Sequence, residues 1–517
     1  MSSSPRFAPR SGMHRKLTGV AVLGLLVGVA ACGGGGTFEN DTSSNGEPGG
    51  TLTVAQSADI ETMDPAMHRS RINQTVVRNV FEGLVNQNDS LEPVPELATE
   101  WEQVDETTWR FVLRENVTFH NGENFDAEAV KYSLERVTDP GQASPRADML
   151  SMIDEIVVED EHTVVIKTAQ PAPTLLASLS VNEIVPPDYV EEVGDAEFAK
   201  APVGTGPFTF EEWVRNERVV LAANEDYWGG SPKVDRLVFR PIPEVSARIA
   251  ALQSGDVQIA AELPADLAES LEGDVESVSV IGTRIFFLAM NVTKAPVDDA
   301  DVRVALNQAI DRESLVDNIY QGYARPLNQP AFPEMLGYDP DFEGYEFDKE
   351  AASQVLSKVG SPLQIDVEEK DKTLAEAVAG QLNAAGVEAK VNVLETQAFL
   401  DTIGNGGSTA YLSSWGVAEG DADVIFARHF WSPAREDAFY TGYKNTELDA
   451  LIEQGRSIAD QAEREGIYAE ATEIVMSDAP WAPILNPEEI YGVSATVQGW
   501  SPSPIGRINV ADVSLGS

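Results

Sequence analysis

The chain has one cysteine in 517 residues, and it stands where no cross-link can use it. Cys32 closes Val29-Ala30-Ala31-Cys32, directly after an apolar run that begins at Leu17 and follows Arg15 and Lys16. A basic start, about fifteen mostly apolar residues and small residues before the cut make a secretory signal. A cysteine at that cut makes it a lipoprotein signal, in which residue 32 becomes the first of the mature chain and carries lipid. Everything downstream must then fold outside the cytoplasm with neither thiol nor disulfide, held by burial alone. The run from Leu17 to Ala31 is shorter than the roughly 18 to 20 residues that cross a bilayer. No later segment is apolar for that length. The expectation is a protein tethered by acyl chains and not embedded. Met13 opens a compact signal of its own, so Met1 and Met13 both stand as starts.

Length sets the next bound. Single cores stop growing at roughly 250 to 300 residues, so a chain of this size needs two or more lobes, and 43% hydrophobic residues supply ample core. Residues 1–31 carry four cations and no acid, so losing them takes the formal charge from −48 to −52. Phosphate binding relies on clustered Lys and Arg, and no such cluster follows the signal, which disfavours nucleic acid as a partner. A solvated acidic surface keeps a tethered protein soluble, and a monomer is expected.

Residues 32–50, rich in Gly, Ser, Asn and acids, read as a flexible spacer. Leu52-Thr53-Val54-Ala55 alternates as a strand should. Ile72, Val76, Val80, Phe81 and Leu84 recur at helical spacing with Gly83 near the end. Trp109 to Arg114 reads as a strand, Asn121-Gly122 as a turn, and Asp126 as the cap of a helix carrying Val130, Leu134 and Val137. Leu363–Val367, a helix opened by a Thr373/Glu376 capping box, and Val387–Val393 form a βαβ unit with parallel pairing. Gly255 is expected to end the helix that carries Val245, Ile249 and Leu252. No repeat of 20 to 50 residues is visible, against a solenoid or propeller.

Catalytic signatures are absent: there is no G-x-S-x-G, S-x-x-K, H-E-x-x-H or P-loop, and the five histidines (14, 68, 120, 162, 429) lack ligand spacing. What stands out is a dispersed series of ordered blocks. They include Pro95-Glu96-Leu97-Ala98, Trp109-Arg110-Phe111, Val117-Thr118-Phe119-His120-Asn121-Gly122 and Gly204-Thr205-Gly206-Pro207-Phe208. Asn224-Glu225-Asp226-Tyr227-Trp228-Gly229-Gly230, Leu252-Gln253-Ser254-Gly255-Asp256 and Asp301-Val302-Arg303 continue it. Over nearly all of residues 50–515 this series resembles family 5 extracellular solute-binding proteins, the peptide, nickel and glutathione receptors of ABC importers. Taken one by one, most blocks read as turns and helix ends that mark the fold and do not line the site.

The resemblance implies an α/β, two-lobed periplasmic binding protein fold (type II), with an extra subdomain in lobe I and a hinge of crossing strands. The implied division is lobe I over 51–282 with the subdomain at about 91–200, lobe II over 283–484, and a return to lobe I over 485–517. Ile285 to Asn291, with Phe286 a candidate ligand contact, is then the strand entering lobe II, and Pro480 to Leu485 the return. Hinged closure over a solute follows. In several peptide receptors of the family an aspartate three residues after a tryptophan holds the peptide's α-ammonium. With Trp415 as that tryptophan the position is Ala418, which leaves Asp421 or Asp423 as substitutes. Trp415 can supply an apolar wall or a cation–π surface. Arg146, Arg69 and Arg71 are candidates for the solute's carboxylate, because a guanidinium fork matches it. The expected role is a receptor, without cofactor or catalysis, that passes a short peptide or glutathione-like solute to ABC permease subunits. A nickel or metal-chelate receptor, with His429 the histidine nearest Trp415, and a lipid-anchored hydrolase are the alternatives.

Overall fold

A computed structural model describes residues 49–434, 441–458 and 460–516. The signal segment, Cys32 and the spacer to residue 48 lie outside the described residues. Among those described, no helix is long and apolar enough to cross a membrane. One long mixed sheet runs through the molecule. From one edge its strands are Ala389–Leu394, Leu363–Glu368, Ala410–Gly416, Arg284–Met290, Trp481–Ser494, Ile259–Ala260, Thr51–Gln56, Arg236–Pro241, Arg218–Ala223 and Phe208–Val214. Val275–Ile281 and Ala324–Pro326 also pair with Trp481–Ser494.

Six of these strands frame the two lobes: β1 (Thr51–Gln56), β2 (Arg284–Met290), β3 (Leu363–Glu368), β4 (Ala389–Leu394), β5 (Ala410–Gly416) and β6 (Trp481–Ser494). β6 divides the sheet. Its first residues pair antiparallel with β2 (Ala289 opposite Trp481, Phe286 opposite Leu485), and its later ones with Val275–Ile281 (Ile281 opposite Glu488, Val275 opposite Ser494). The side of β2 to β5 has cores of its own on both faces, and so does the side of β1. The result is two lobes, joined where Gly282–Thr283 runs into β2 and where β6 passes Asn486. Asn486 is buried there and donates to the carbonyls of Gly282 and Arg284 at 2.8 and 2.7 Å, tying one crossing to the other.

The period of two explains how β2 serves both faces. Phe286, Leu288 and Met290 point into one core and Ile285, Phe287 and Ala289 into the other. Phe287 stacks on Trp481 with ring centroids 3.6 Å apart. β3 and β4 pair in parallel from Leu363/Ala389 to Glu368/Leu394, so the βαβ unit forms as its pattern predicts. A separate four-stranded antiparallel sheet (Ala98–Asp105, Thr108–Leu113, Thr163–Thr168, Ile153–Asp160) packs on the helix Ala127–Thr138 around its own core. Asp126 caps that helix, accepting from the Ala129 amide at 2.9 Å.

Two local expectations need correction. The first helix, α1, spans only Arg71–Val77. The backbone of Gly204–Phe208 draws the chain out of it: the Gly206 and Phe208 amides donate to the carbonyls of Val80 and Asn79, each at 2.9 Å. The helix between β3 and β4, α2, spans Lys372–Ala384, and Thr373 lies inside it. A 3₁₀ turn over Glu369–Asp371 already supplies the first backbone bonds, so the junction residue Asp371 makes no side-chain cap and the expected capping box does not form.

Candidate functional site

Both lobes contribute to a cleft of about 310 Å³, within the range of small-molecule sites. From the β1 side come Arg69, Ser70, Arg71 and Gln74 at the start of α1, with Arg146, Met149, Val181, Glu489, Ile505 and Arg507. Thr283 and Arg284 at the crossing, and Gly416 and Ala418 just after β5, complete it. Five guanidinium groups thus face one carboxylate, in a chain with 84 acidic and 36 basic residues. The local charge of the cleft lining is thus opposite in sign to that of the chain as a whole.

Each arginine is set differently. Arg69, on the rim, pairs with Asp148. Arg71 is held by Glu489 and by Glu262 at 3.4 Å; burial depresses its guanidinium, and Glu489 together with Glu262 and Tyr491 more than reverses that. Arg146 is 4% exposed. It donates to the His68 carbonyl at 2.7 Å, to Glu183 at 3.0 Å, and to Gln74 and the Val181 carbonyl. Burial lowers its pKa, and burial with the nearby Arg146 charge holds His68 at about 3, hence neutral.

Beneath this wall lies a layer of buried charge. Arg78 grips both oxygens of Glu96, at 2.6 and 2.9 Å, beside Glu183. Glu82 receives Tyr227 at 2.7 Å and Trp228 and Thr205 at 2.8 Å. Burial, then the neighbouring Glu96, raises it to about 7. The blocks around residues 96, 205 and 227 therefore meet as one scaffold behind the cleft and do not line it. Gly204 belongs to that scaffold: a Cβ there would overlap the Val80 carbonyl. His120 is a strut, its Nε2 2.9 Å from the Gly206 carbonyl.

The family model for bacterial extracellular solute-binding proteins, family 5, matches residues 92–437, two thirds of the sequence. The chain belongs to this family. Its relatives include the glutathione-binding proteins GsiB of Pectobacterium atrosepticum, 27% identical over 89% of this chain and 93% of that one, and of Escherichia coli K12, 27% identical over 90% and 94%. The periplasmic binding protein DppA of Helicobacter pylori, solved with the peptide STSA, superposes with a TM-score of 0.77 at 27% identity, over 91% of this chain and 99% of that one. CtaP of Listeria monocytogenes, 22% identical, shares the fold with a TM-score of 0.84 over 91% and 100%. The family's two-lobed architecture is the one described above, and its members act outside the cytoplasm.

Within this family 5 cleft the expected residues separate. Arg69, Arg71 and Arg146 line it. Asp421 and Asp423 do not: both are buried in lobe II with other partners. Asp421 takes a two-pronged bond from Arg464, at 2.7 and 2.9 Å, and accepts the Asp423 amide at 2.9 Å. Asp423 accepts from Tyr468 at 3.0 Å, with Arg456 3.5 Å away. Burial raises its carboxyl to about 6. Phe286 also leaves the candidate set, because the pleat of β2 turns it into the lobe II core against Tyr320. Trp415 stands next to the lining Gly416, half-buried, with the Arg428 guanidinium 4.8 Å from its ring and His429 5.1 Å away. His429 is enclosed by Trp415, Phe287 and Trp481, and burial drives its pKa far down. Among the described residues no group of three or more His, Cys, Asp or Glu could hold a metal ion.

Three charged lining residues were not anticipated: Arg284, Glu489 and Arg507. Arg507 had a readable signal, being the one cation in residues 486–516. Arg284 and Glu489 had none, since neither crossing strand announces which of its side chains faces the gap.

Proposed function

We propose that this chain is the substrate-binding lipoprotein of an ABC importer, anchored through Cys32, which captures a short peptide or glutathione-like solute between its lobes and delivers it to the permease. The observation that carries the reading is the two-walled, guanidinium-rich cleft at the crossings, in a chain whose relatives include glutathione-binding proteins. The proposed lobes are residues 51–282 and 283–484, with 485–517 returning to the first. Closure must favour the liganded state strongly: moving a 1:99 population to 99:1 takes about 5.5 kcal/mol of differential affinity. Arg69, Arg71 and Arg146 belong to the arginine wall that attracts the solute's carboxylates, and Trp415 is a flat surface beside it. The role requires no covalent step.

The test is calorimetry and thermal denaturation of the mature chain with glutathione and a panel of di- and tripeptides. Solution scattering is recorded with and without each. A raised melting temperature and a smaller radius of gyration with one of these solutes supports the reading. Turnover of any of them, or no response to the whole panel, refutes it.

A further inference from the structure

A solute receptor of this kind still has to choose among chemical classes, and the partners of its five arginines narrow the choice; the inference rests on the receptor role proposed above. Arg69, Arg71 and Arg146 each have a carboxylate of the protein: Asp148, Glu489 and Glu183 respectively. Arg284 and Arg507 have no ion-pair partner among the described residues. Arg507 is 3% exposed and holds neutral oxygens only, Asn86 Oδ1 at 2.5 Å and the Ser180 carbonyl at 3.0 Å. A buried cation without an anion is costly. Burial, then the charge of Arg78, pulls this guanidinium down to about 9, although Glu96 and Glu183, which are engaged by Arg78 and Arg146, oppose the shift from a distance. Arg284, the first residue of β2, lines the same cavity where the chain crosses into lobe II. Ala418, also on the wall, brings no carboxylate to meet an α-ammonium.

We propose that the cleft selects a solute with two carboxylates, one bound by Arg507 and the other by Arg284, and that its recognition needs no free α-ammonium. Both bonds form together only when the walls approach, so such a solute favours the closed arrangement through contacts the open one lacks. The chemical class is the acidic or γ-linked short peptide, dianionic through its carboxylates, with the amino end free or blocked. Zwitterionic peptides of neutral side chains leave one of the two guanidinium groups uncompensated.

Calorimetric titration of the mature chain with glutathione, N-acetyl-glutamyl-glycine, trialanine and glucose 6-phosphate tests this, using the parent chain, Arg284→Met, Arg507→Met and Arg507→Lys. Both diacids should bind at least about tenfold more tightly than trialanine. Each methionine variant should lose about tenfold or more for the diacids, with trialanine weakened by no more than one of the two. Without ligand, Arg507→Met should melt no lower than the parent, because it removes a buried unpaired charge. Should that variant fail to fold, Arg284→Met, at a half-buried position, decides alone. Trialanine matching the diacids, or diacid binding indifferent to Arg284→Met, overturns the inference and leaves peptide capture standing. Glucose 6-phosphate displacing the diacids overturns the carboxylate assignment. Silence from every peptide overturns both readings.

Discussion

Removing the Asp421 carboxylate separates a ligand contact from a structural ion pair, and the two readings differ by several kcal/mol. In Asp421→Ala the Arg464 guanidinium, 3% exposed at its side chain, loses bonds of 2.7 and 2.9 Å and keeps the Gly455 carbonyl at 2.9 Å and the Tyr468 ring 5.5 Å away, but no bonded carboxylate. Breaking a buried pair from one side costs about 3–5 kcal/mol, because the remaining charge stays buried without compensation. The Asp423 amide loses its acceptor as well, adding about 1 kcal/mol. Arg464→Met, which leaves no stranded cation, should cost less, and the double variant should recover about 2 kcal/mol of the summed losses. Urea denaturation followed by tryptophan fluorescence reads all four corners of that cycle. Solute affinity, measured well below the transition, should stay within about twofold of the parent. A loss under about 1 kcal/mol accompanied by a tenfold weaker solute would refute the reasoning and return Asp421 to the binding site.

Further outcomes are expected from the same geometry. Asp423 has a folded pKa of about 6 against 3.8 for the free side chain, so the advantage of its buried protonated form is complete below about pH 3.8 and lost as pH rises through 6. Asp423→Asn should therefore match the parent near pH 3.5 and exceed it by about 2–3 kcal/mol above pH 6, a crossover that denaturation at several pH values would show. Ala418→Asp places a carboxylate opposite the arginines, so diacid affinity should fall by about tenfold while neutral dipeptides gain, as measured by calorimetry. Gly204→Ala drives a methyl into the Val80 carbonyl and should cost about 3 kcal/mol or more. Gly380→Ala, inside α2 with nothing within 4 Å, should gain about 0.5–1 kcal/mol; the two melting temperatures should move in opposite directions.

Periodicity made local structure readable where one segment settles its own state. The β3, α2, β4 unit, the Asp126 cap and the turn at Gly122 depend on neighbours within a few residues, and they form as expected. α1 ended early because a partner some 130 residues distant offered its backbone a better pairing than another helical turn. The site was half legible. Arg69 and Arg71 sit at a helix start whose exposure a sequence can suggest, and Arg146 was also anticipated, whereas Arg284 at a strand crossing and Arg507 in the C-terminal segment are brought in from hundreds of residues away. Asp421 failed as a candidate for a related reason: an acidic residue close to a tryptophan resembles a ligand clamp until the arginine 43 residues later claims it. Composition concealed the main feature, since an overall charge of −48 gives no hint of five arginines around one cavity.

β6 belongs to both lobes at once, Trp481 to Leu485 in one and Glu488 to Ser494 in the other. A gene cut at either crossing therefore cannot yield two self-sufficient products. Each fragment would carry a raw sheet margin whose rightful neighbour was left on the other piece, so fragments of this protein should reassemble as a complementing pair or precipitate.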